Sequence, residues 1–89
     1  MLYMIIENFH PEKGKQLYAR LEEKGRQLPA GVTYMDSWID TGLTTCFQLM
    51  ESEELSAIQA WVQLWNDLAD FSIIPVISSS EAREKARGA

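Results

Sequence analysis

The polar residues best suited to a chemical role lie on two neighbouring β-prone segments. Asp36 stands between Tyr34 and Trp38 at alternating positions, and Gln48 lies on the segment that follows. A carboxylate and an amide on a face otherwise suited to burial need hydrogen-bond partners. They could line a pocket and orient a ligand, or bond across a subunit interface and fix its register. The sequence leaves both readings open.

Cys46 and His10 are the two side chains whose types act most often as a nucleophile, a base or a metal ligand. The predicted strand pairing places Cys46 opposite Asp36, and a nearby carboxylate raises the pKa of a thiol. We therefore expect Cys46 to fill a small buried apolar position. His10 titrates near neutrality, but no second ligand or nucleophile lies near it in the sequence. We expect it to flank a helix.

Two further pairs of side chains have a structural and a functional reading. Trp61 and Trp65 lie four residues apart, which is typical of packing on one helix face but would also suit the wall of a ligand site. Arg20 and Arg26 could neutralise an anionic ligand at the helix edge, but we expect them to belong to a solvated helix face. The candidate ligand-binding residues are Tyr34, Asp36, Trp38, Cys46, Gln48, His10 and Trp65. The sequence defines no catalytic residue, and it implies no metal and no cofactor.

Length and composition limit the class of protein. The chain has 89 residues, of which 46% are hydrophobic, with one cysteine and one histidine. It is therefore one domain without an intrachain disulfide or a four-ligand zinc site. Small cores are marginal, and oligomerisation is the usual remedy when such cross-links are absent. The net charge of −5 argues against a nucleic-acid or anionic-membrane partner, since both need a basic face.

The compartment is suggested by two features. The apolar run at residues 2–6 is too short for a signal peptide or a membrane span. A free thiol is typical of a reducing environment. We expect a cytoplasmic protein.

The first half of the chain contains three β-prone segments and one helix. Residues 2–7, an unbroken apolar run that ends in Glu7, predict a central strand. Pro11 marks the start of a helix that ends at Gly25 and Pro29. Residues 32–39 and 43–50 then form a predicted hairpin. The three residues between them suit a type I turn closed by Gly42 in the left-handed conformation.

The second half predicts one buried helix, one strand and a short tail. Ser52 with two following acids suits a helix start, and an apolar stripe follows at Leu55, Ile58, Val62 and Trp65. Residues 71–77 form a fourth strand, and Pro75 confines it to a sheet edge. Ser78 could cap a short charged helix. We expect one domain over residues 1–80 and a charged helix or tail over residues 81–89.

The order βαββαβ predicts a ferredoxin-like α+β fold. With right-handed crossovers, the four strands form an antiparallel sheet in the order 4-1-3-2, with both helices on one face. The central position of the first strand and the edge position of the proline-containing strand agree with this order.

Apolar side chains on both faces of the predicted sheet indicate a homodimer. Two helices cover only one face, and the expected register gives them Met35, Ile39, Leu43, Phe47 and Leu49. The opposite face then carries Val32, Tyr34, Trp38 and Met50, mixed with Asp36, Cys46 and Gln48. An apolar patch of this extent is rarely left in water. We expect a second copy of the chain to cover it.

Five segments together resemble a family of short bacterial proteins of unknown function. They are Gly25-Arg26-Gln27-Leu28-Pro29, Tyr34-Met35-Asp36-Ser37-Trp38, Cys46-Phe47-Gln48-Leu49-Met50-Glu51, Trp61-x-x-x-Trp65-x-Asp67-Leu68 and Pro75-Val76-Ile77-Ser78. The resemblance extends to about residue 80. It implies membership of the dimeric α+β barrel superfamily, in which two sheets pack face to face with the helices outside.

The superfamily resemblance also implies several possible activities. Its members include cofactor-free monooxygenases, haem-degrading enzymes, isomerases and relatives of dye-decolourising peroxidases. Asn8 and Trp65 or Trp61 match two residues of the haem-degrading type. The histidine that would bind the iron is missing near the second helix, because the only histidine is His10.

Two functions of different class remain. The first is a non-catalytic dimer that binds a small, partly apolar molecule or serves as an accessory dimer. The alternative is a cofactor-independent monooxygenase or isomerase that acts on an aromatic or lactone-like substrate. Its candidate residues are Trp38, Tyr34, Asp36 and His10. The sequence does not decide whether the protein is an enzyme.

Overall fold

The apolar run at the start of the chain forms the central strand of a four-stranded sheet. In the computed structural model, which describes residues 1–88, this first strand pairs on one side with the third strand of the chain and on the other with the fourth. The elements in chain order are β1 (Leu2–Phe9), α1 (Gly14–Lys24), β2 (Val32–Ile39), β3 (Thr45–Ser52), α2 (Leu55–Gln63), β4 (Ala69–Val76) and α3 (Ser79–Gly88).

The sheet has the strand order β2-β3-β1-β4, and every neighbouring pair is antiparallel. This is the predicted order read from the other edge, so the ferredoxin-like prediction is confirmed. Pro75 lies on the edge strand β4, the place in a sheet to which a residue without an N–H is confined. β1 lies centrally, as its unbroken apolar run indicated.

The predicted hairpin turn is wrong, and so is its register. Asp36 pairs with Leu49 rather than with Cys46, because the connection is longer than three residues. The Asp40 carboxylate accepts hydrogen bonds from the amides of Thr44 and Thr45, both at 2.7 Å. The residue with positive φ is Leu43 (57°), not Gly42. Aspartate side chains commonly close turns in this way.

A β-bulge at Met35 changes which side chains of β2 share a face. The pairing passes from Tyr34 opposite Met50 directly to Asp36 opposite Leu49, so Met35 has no partner. One extra residue reverses the alternation along a strand. Tyr34 therefore faces the helices, whereas Asp36 faces the other side of the sheet.

The helices cover the face that was expected to form the dimer interface. Gln48 is 5% exposed and Met50 is fully buried beneath the helices, whereas Phe47 is 37% exposed on the opposite face. The sequence assignment of faces was therefore wrong. The alternation along a strand shows which side chains share a face. When both faces are apolar, it does not show which of them the helices cover.

The core lies between this inner face and the helices α1 and α2. It contains the following buried residues: Tyr3, Ile5, Leu17, Val32, Met50, Ile58, Trp61, Trp65, Leu68 and Ala69. Trp65 is buried in the turns that follow α2, not within the helix as expected. Leu55, which was expected to face inward, is 41% exposed.

The helix starts differ slightly from the sequence expectations. Pro11 lies in a turn that precedes α1 rather than at its first residue. The Ser52 hydroxyl bonds to the backbone of Glu54 and does not cap α2. The amide of Glu81 donates to the Ser78 hydroxyl at 3.0 Å, so the predicted cap of α3 is confirmed. No residue of α3 is buried.

Across residues 1–88, none of the helices has the length and apolar character that crossing a membrane requires.

Candidate functional site

A cavity of about 130 Å³ lies between the inner face of the sheet and the two covering helices. Its walls are mainly apolar, and a small group of polar side chains converges on one part of it. The lining residues that matter for its chemistry are Glu7, Arg26, Ser37, Cys46, Gln48, Trp61 and Trp65. An apolar cavity with a few converging polar groups is the usual form of a small-molecule site.

Glu7 brings a carboxyl group into the cavity from the central strand. It follows Tyr3 and Ile5 on the inward side of β1 and is 3% exposed. The Gln48 side-chain amide donates a hydrogen bond to Oε1. Within residues 1–88, every side-chain nitrogen or oxygen without accessible surface has a hydrogen-bond partner. Oε2 accepts no hydrogen bond from these residues, so it must keep accessible surface. Oε2 therefore faces the open space of the cavity.

Burial sets the acidity of this carboxyl group. Removal from water raises the pKa of Glu7 to about 7, although the Gln48 hydrogen bond and the Arg26 charge oppose that rise. Desolvation disfavours the charged form of a carboxyl group. Glu7 therefore exists in both protonation states near neutral pH.

Arg26 supplies the positive charge of the site from the loop after α1. Its Nε donates to Gln48 Oε1 at 3.2 Å, and one Nη donates to the Ser37 hydroxyl at 3.3 Å. The guanidinium carbon lies 3.7 Å from the centre of the Tyr34 ring, within cation–π range. Tyr34 in turn hydrogen-bonds Ser37 at 2.6 Å. These contacts hold the guanidinium in one orientation.

The backbone around Arg26 explains how a loop residue reaches the core. Gly25 has φ of 67° and Gln27 has φ of 59°, so left-handed residues flank Arg26 on both sides. The Arg26 carbonyl accepts hydrogen bonds from the indole N–H groups of Trp61 at 2.7 Å and Trp65 at 3.2 Å. The two tryptophans thus tie this loop to the second helix while their rings line the cavity.

Cys46 lies beside Glu7 on the neighbouring strand. Burial, together with the Glu7 charge, raises the pKa of its thiol to about 12. A neutral thiol is a poor nucleophile. The carboxylate beside it is Glu7 rather than the expected Asp36.

His10 lies outside the cavity, at the end of β1. Its Nδ1 is 3.1 Å from the Asp67 carbonyl oxygen and its Nε2 is 3.0 Å from the Asp70 carboxylate. Both partners are acceptors, so only the imidazolium form donates to each. The Asp70 hydrogen bond is the main cause that raises the His10 pKa. The Asp67 carboxylate also accepts two hydrogen bonds from the Arg20 guanidinium, one on each oxygen. This cluster joins β1 and α1 to the turn before β4.

The structure brings together only part of the sequence-predicted set. Cys46, Gln48 and Trp65 line the cavity, and Tyr34 supports it through Arg26. Trp38 borders the cavity, yet its side chain is on the opposite face and is 53% exposed.

Two of the sequence-predicted residues lie away from the cavity. The bulge turns Asp36 to the opposite face of the sheet. There its Oδ1 accepts a hydrogen bond from the Ser37 backbone N–H at 2.8 Å. His10 is held in the cluster described above.

Sequence reasoning missed Glu7 and treated Arg26 as a solvated residue. A signal for Glu7 was present, because it continues the alternation of Tyr3 and Ile5 and therefore shares their buried face. No sequence pattern indicated that the Arg26 side chain points inward. Its inward direction depends on two left-handed residues, one of which is not glycine.

The chain belongs to the family described as Domain of unknown function (DUF3303), whose model matches residues 1–89. This confirms the resemblance to an uncharacterised family. None of the curated proteins compared with the chain gives a match.

Solved structures of similar fold include three that are described as monooxygenases. An antibiotic biosynthesis monooxygenase is 22% identical with a TM-score of 0.49, over 88% of this chain and 100% of the other. A proposed antibiotic biosynthesis monooxygenase from Chloroflexus aurantiacus J-10-fl is 16% identical, with a TM-score of 0.45 and coverages of 88% and 96%. One from Deinococcus radiodurans, also proposed, is 11% identical, with a TM-score of 0.43 and coverages of 88% and 93%.

Proposed function

We propose that this member of the DUF3303 family binds a small, partly apolar molecule in the cavity between its sheet and its helices. The observation that carries this proposal is the Glu7 carboxyl group, which is buried beside the cavity with one oxygen directed into it. Apolar walls would hold the body of the ligand, and Glu7 and Arg26 would hold its polar group.

The cost of burying Glu7 supports a role in binding. A pKa raised from 4.5 to about 7 corresponds to about 3 kcal/mol of stability lost when the group is ionised. An apolar residue at this position would avoid that loss. Buried ionisable groups that a fold does not need for packing are found preferentially at functional sites.

The size and polarity of the cavity limit the ligand. An engineered apolar cavity of about 150 Å³ holds benzene, and this cavity measures about 130 Å³. A ligand with one ring or a short branched chain fits such a space. Glu7 and Arg26 bear opposite charges when Glu7 is ionised, so a neutral ligand with a hydrogen-bonding group suits this state.

The proposed assembly is a homodimer formed through the outer face of the sheet. The cross-strand pairs of that face place Phe47 beside Trp38 and Ile6, and Met4 beside Leu49. The exposed fractions of Trp38 and Phe47 are 53% and 37%. This is an apolar surface that α1 and α2 leave uncovered, and a second sheet would bury it.

The dimensions of the outer face suit a partner of the same kind. Four strands spaced about 4.8 Å apart, each eight residues of about 3.3 Å, give a face of roughly 500 Å² before side-chain relief is counted. Side chains raise this area toward the roughly 800 Å² per partner of a standard interface. Two copies related by a two-fold axis present the same patch to each other.

The proposed compartment is the cytoplasm, because the free thiol of Cys46 is typical of a reducing environment.

Ligand binding can be tested with three small probes of different polarity: indole, benzoate and cyclohexanone. We expect at least one to raise the melting temperature and to change the fluorescence of Trp61 and Trp65, because both rings line the cavity. Cys46→Leu should abolish the response by filling the cavity. Cys46→Ser is the matched control and should keep it. A wild-type protein that responds to none of the probes, and carries no small molecule in native mass spectrometry, would contradict the proposal.

A further inference from the structure

We infer that Glu7 transfers protons on the bound ligand, and that the ligand class is a small carbonyl compound with an acidic C–H next to its carbonyl group. This inference rests on the proposed ligand site and selects proton transfer from the chemistries considered above. Its basis is the placement of one free carboxyl oxygen and one fixed guanidinium on the same cavity.

Glu7 is held by one carboxyl oxygen, which leaves the other oxygen available to act as a base. Gln48 bonds only Oε1, which leaves the lone pairs of Oε2 available to a ligand proton. Gln48 is fixed in turn, since its own Oε1 accepts from Arg26 Nε at 3.2 Å. A base must lie within hydrogen-bond reach of the proton that it removes, and Glu7, whose Oε2 keeps accessible surface, lines the cavity.

Arg26 supplies the second group that enolisation needs. Its Nε and one Nη are engaged by Gln48 and Ser37, while the other Nη donates no hydrogen bond within residues 1–88. That remaining N–H group can donate to a carbonyl oxygen of the ligand. A preoriented positive charge stabilises the oxyanion that forms when the proton leaves. Its orientation requires no rearrangement during the reaction, because the Tyr34 ring and Ser37 already hold it.

The other reactive side chains do not compete for this role. Cys46 stays protonated at neutral pH, so a covalent thiolate route is disfavoured. His10 is engaged with Asp67 and Asp70 away from the cavity. Glu7, whose pKa is about 7, can both accept and return a proton under physiological conditions.

The step balances without any co-reactant. The Glu7 carboxylate takes the proton from the carbon next to the carbonyl, and the C–H electron pair moves into a new C=C bond. The carbonyl π electrons then become a lone pair on oxygen, facing Arg26. Neutral Glu7 returns the proton to the same carbon, or to a conjugated carbon further along. In both cases the oxygen lone pair re-forms the carbonyl. The first outcome replaces a ligand hydrogen with one from solvent, because the Glu7 O–H exchanges with water before reprotonation. The second shifts a double bond.

The test measures both outcomes with defined probes. Cyclohexanone in D₂O reports hydrogen exchange by proton NMR, and 3-cyclohexen-1-one reports its conversion to the conjugated ketone by ultraviolet absorbance. We expect the wild type to accelerate at least one process over buffer. Glu7→Gln should lower the acceleration by about a hundredfold. The amide preserves the Gln48 hydrogen bond, so the variant should fold. Glu23→Gln, an exposed α1 residue, should match the wild type.

The pH dependence provides an independent readout. The accelerated rate should rise with pH through about 7, as the carboxylate form becomes populated, and Glu7→Gln should remove this rise. A merely structural Glu7 would not produce such a profile.

The outcomes separate this inference from the ligand-binding proposal. Binding of either ketone, seen as a change in tryptophan fluorescence, without any acceleration would overturn the inference and leave ligand binding intact. Acceleration that survives Glu7→Gln would also overturn it. A wild type that neither binds nor accelerates the ketones would refute the ketone class, while responses to indole or benzoate would still support the site.

Discussion

Glu7 is an ionisable group at a position where packing alone would favour an apolar side chain. It continues the inward row of Tyr3 and Ile5 and is 3% exposed. Only two interactions favour its charged form: one hydrogen bond from the Gln48 side-chain amide and the charge of Arg26. Desolvation therefore outweighs the stabilising interactions, and the pKa rises. The same balance that weakens the fold gives the cavity a group that titrates near neutrality.

The raised pKa makes stability depend on pH in a defined direction. Between pH 4.5, the usual value, and about 7, the folded state binds more protons than the unfolded state, so stability falls as pH rises. We expect Glu7 to contribute a loss of about 3 kcal/mol across this interval. Glu7→Gln should remove the loss and be more stable than the wild type at pH 8. Urea unfolding at pH 4 and pH 8, at one protein concentration, measures it.

Exposed Glu23 offers the control for this experiment. Glu23→Gln should leave the pH dependence of unfolding as it is in the wild type, because a solvated carboxyl group has little effect on folding. Parallel pH profiles for the wild type and Glu7→Gln would show that Glu7 is not desolvated in the folded protein.

At the scale of elements, the site depends on the connection between α1 and β2. Gly25 has φ of 67° and ψ of −168°, a region that is almost exclusive to glycine. This turn ends the helix and directs Arg26 toward Gln48 and Tyr34. The Arg26 carbonyl then meets Trp61 from the second helix. One loop therefore connects helix, sheet and cavity.

Substituting Gly25 should destabilise both the loop and the site. Gly25→Ala forces a Cβ into the disfavoured region, and we expect a loss of roughly 1–3 kcal/mol in the free energy of unfolding. The position has open space around it, with no atom within 4 Å of the added Cβ, so the cost would come from the backbone. Chemical denaturation measures it.

Gly14→Ala is the matched glycine control. Gly14 begins α1 and does not have positive φ, and an added Cβ would lie 3.4 Å from the Leu43 carbonyl oxygen. Alanine also has the higher helix propensity, so little loss is expected. Equal losses in the two variants would exclude backbone conformation as the cause.

At the scale of the whole molecule, the sheet has a covered face and an uncovered one. The inner face holds the core and the cavity. The outer face has apolar side chains at its centre, among them Ile6 and Phe47, with Asp36 toward the β2 edge. A polar margin around an apolar centre is the usual anatomy of a protein interface, which is why we propose the homodimer there.

A charge at the centre of the outer face should break the proposed dimer. Phe47→Glu places a carboxylate between Trp38 and Ile6, where burial in an interface would leave it unpaired. We expect the dimer dissociation constant to rise about tenfold or more. Sedimentation equilibrium at micromolar concentration measures the change. Leu64→Glu, at a site 46% exposed beside α2, should leave the dimer unchanged. A monomeric wild type under these conditions would contradict the assembly.

The sequence by itself determined the order of elements and the strand topology. The unbroken apolar run of β1 indicated the centre of the sheet, and Pro75 indicated its edge, because both signals depend only on local chemistry. The single cysteine and the acidic charge also limited the class of protein without any structure.

Only the tertiary structure decided which face meets the helices and which polar groups meet each other. Asp40 closes a longer turn and Met35 forms a bulge, and each shifts side chains between faces because the strand period is two. Glu7, Gln48 and Arg26 lie far apart in the chain and meet only after folding. The acidity of Glu7 follows from that assembly, since desolvation is a property of the surroundings and not of the residue.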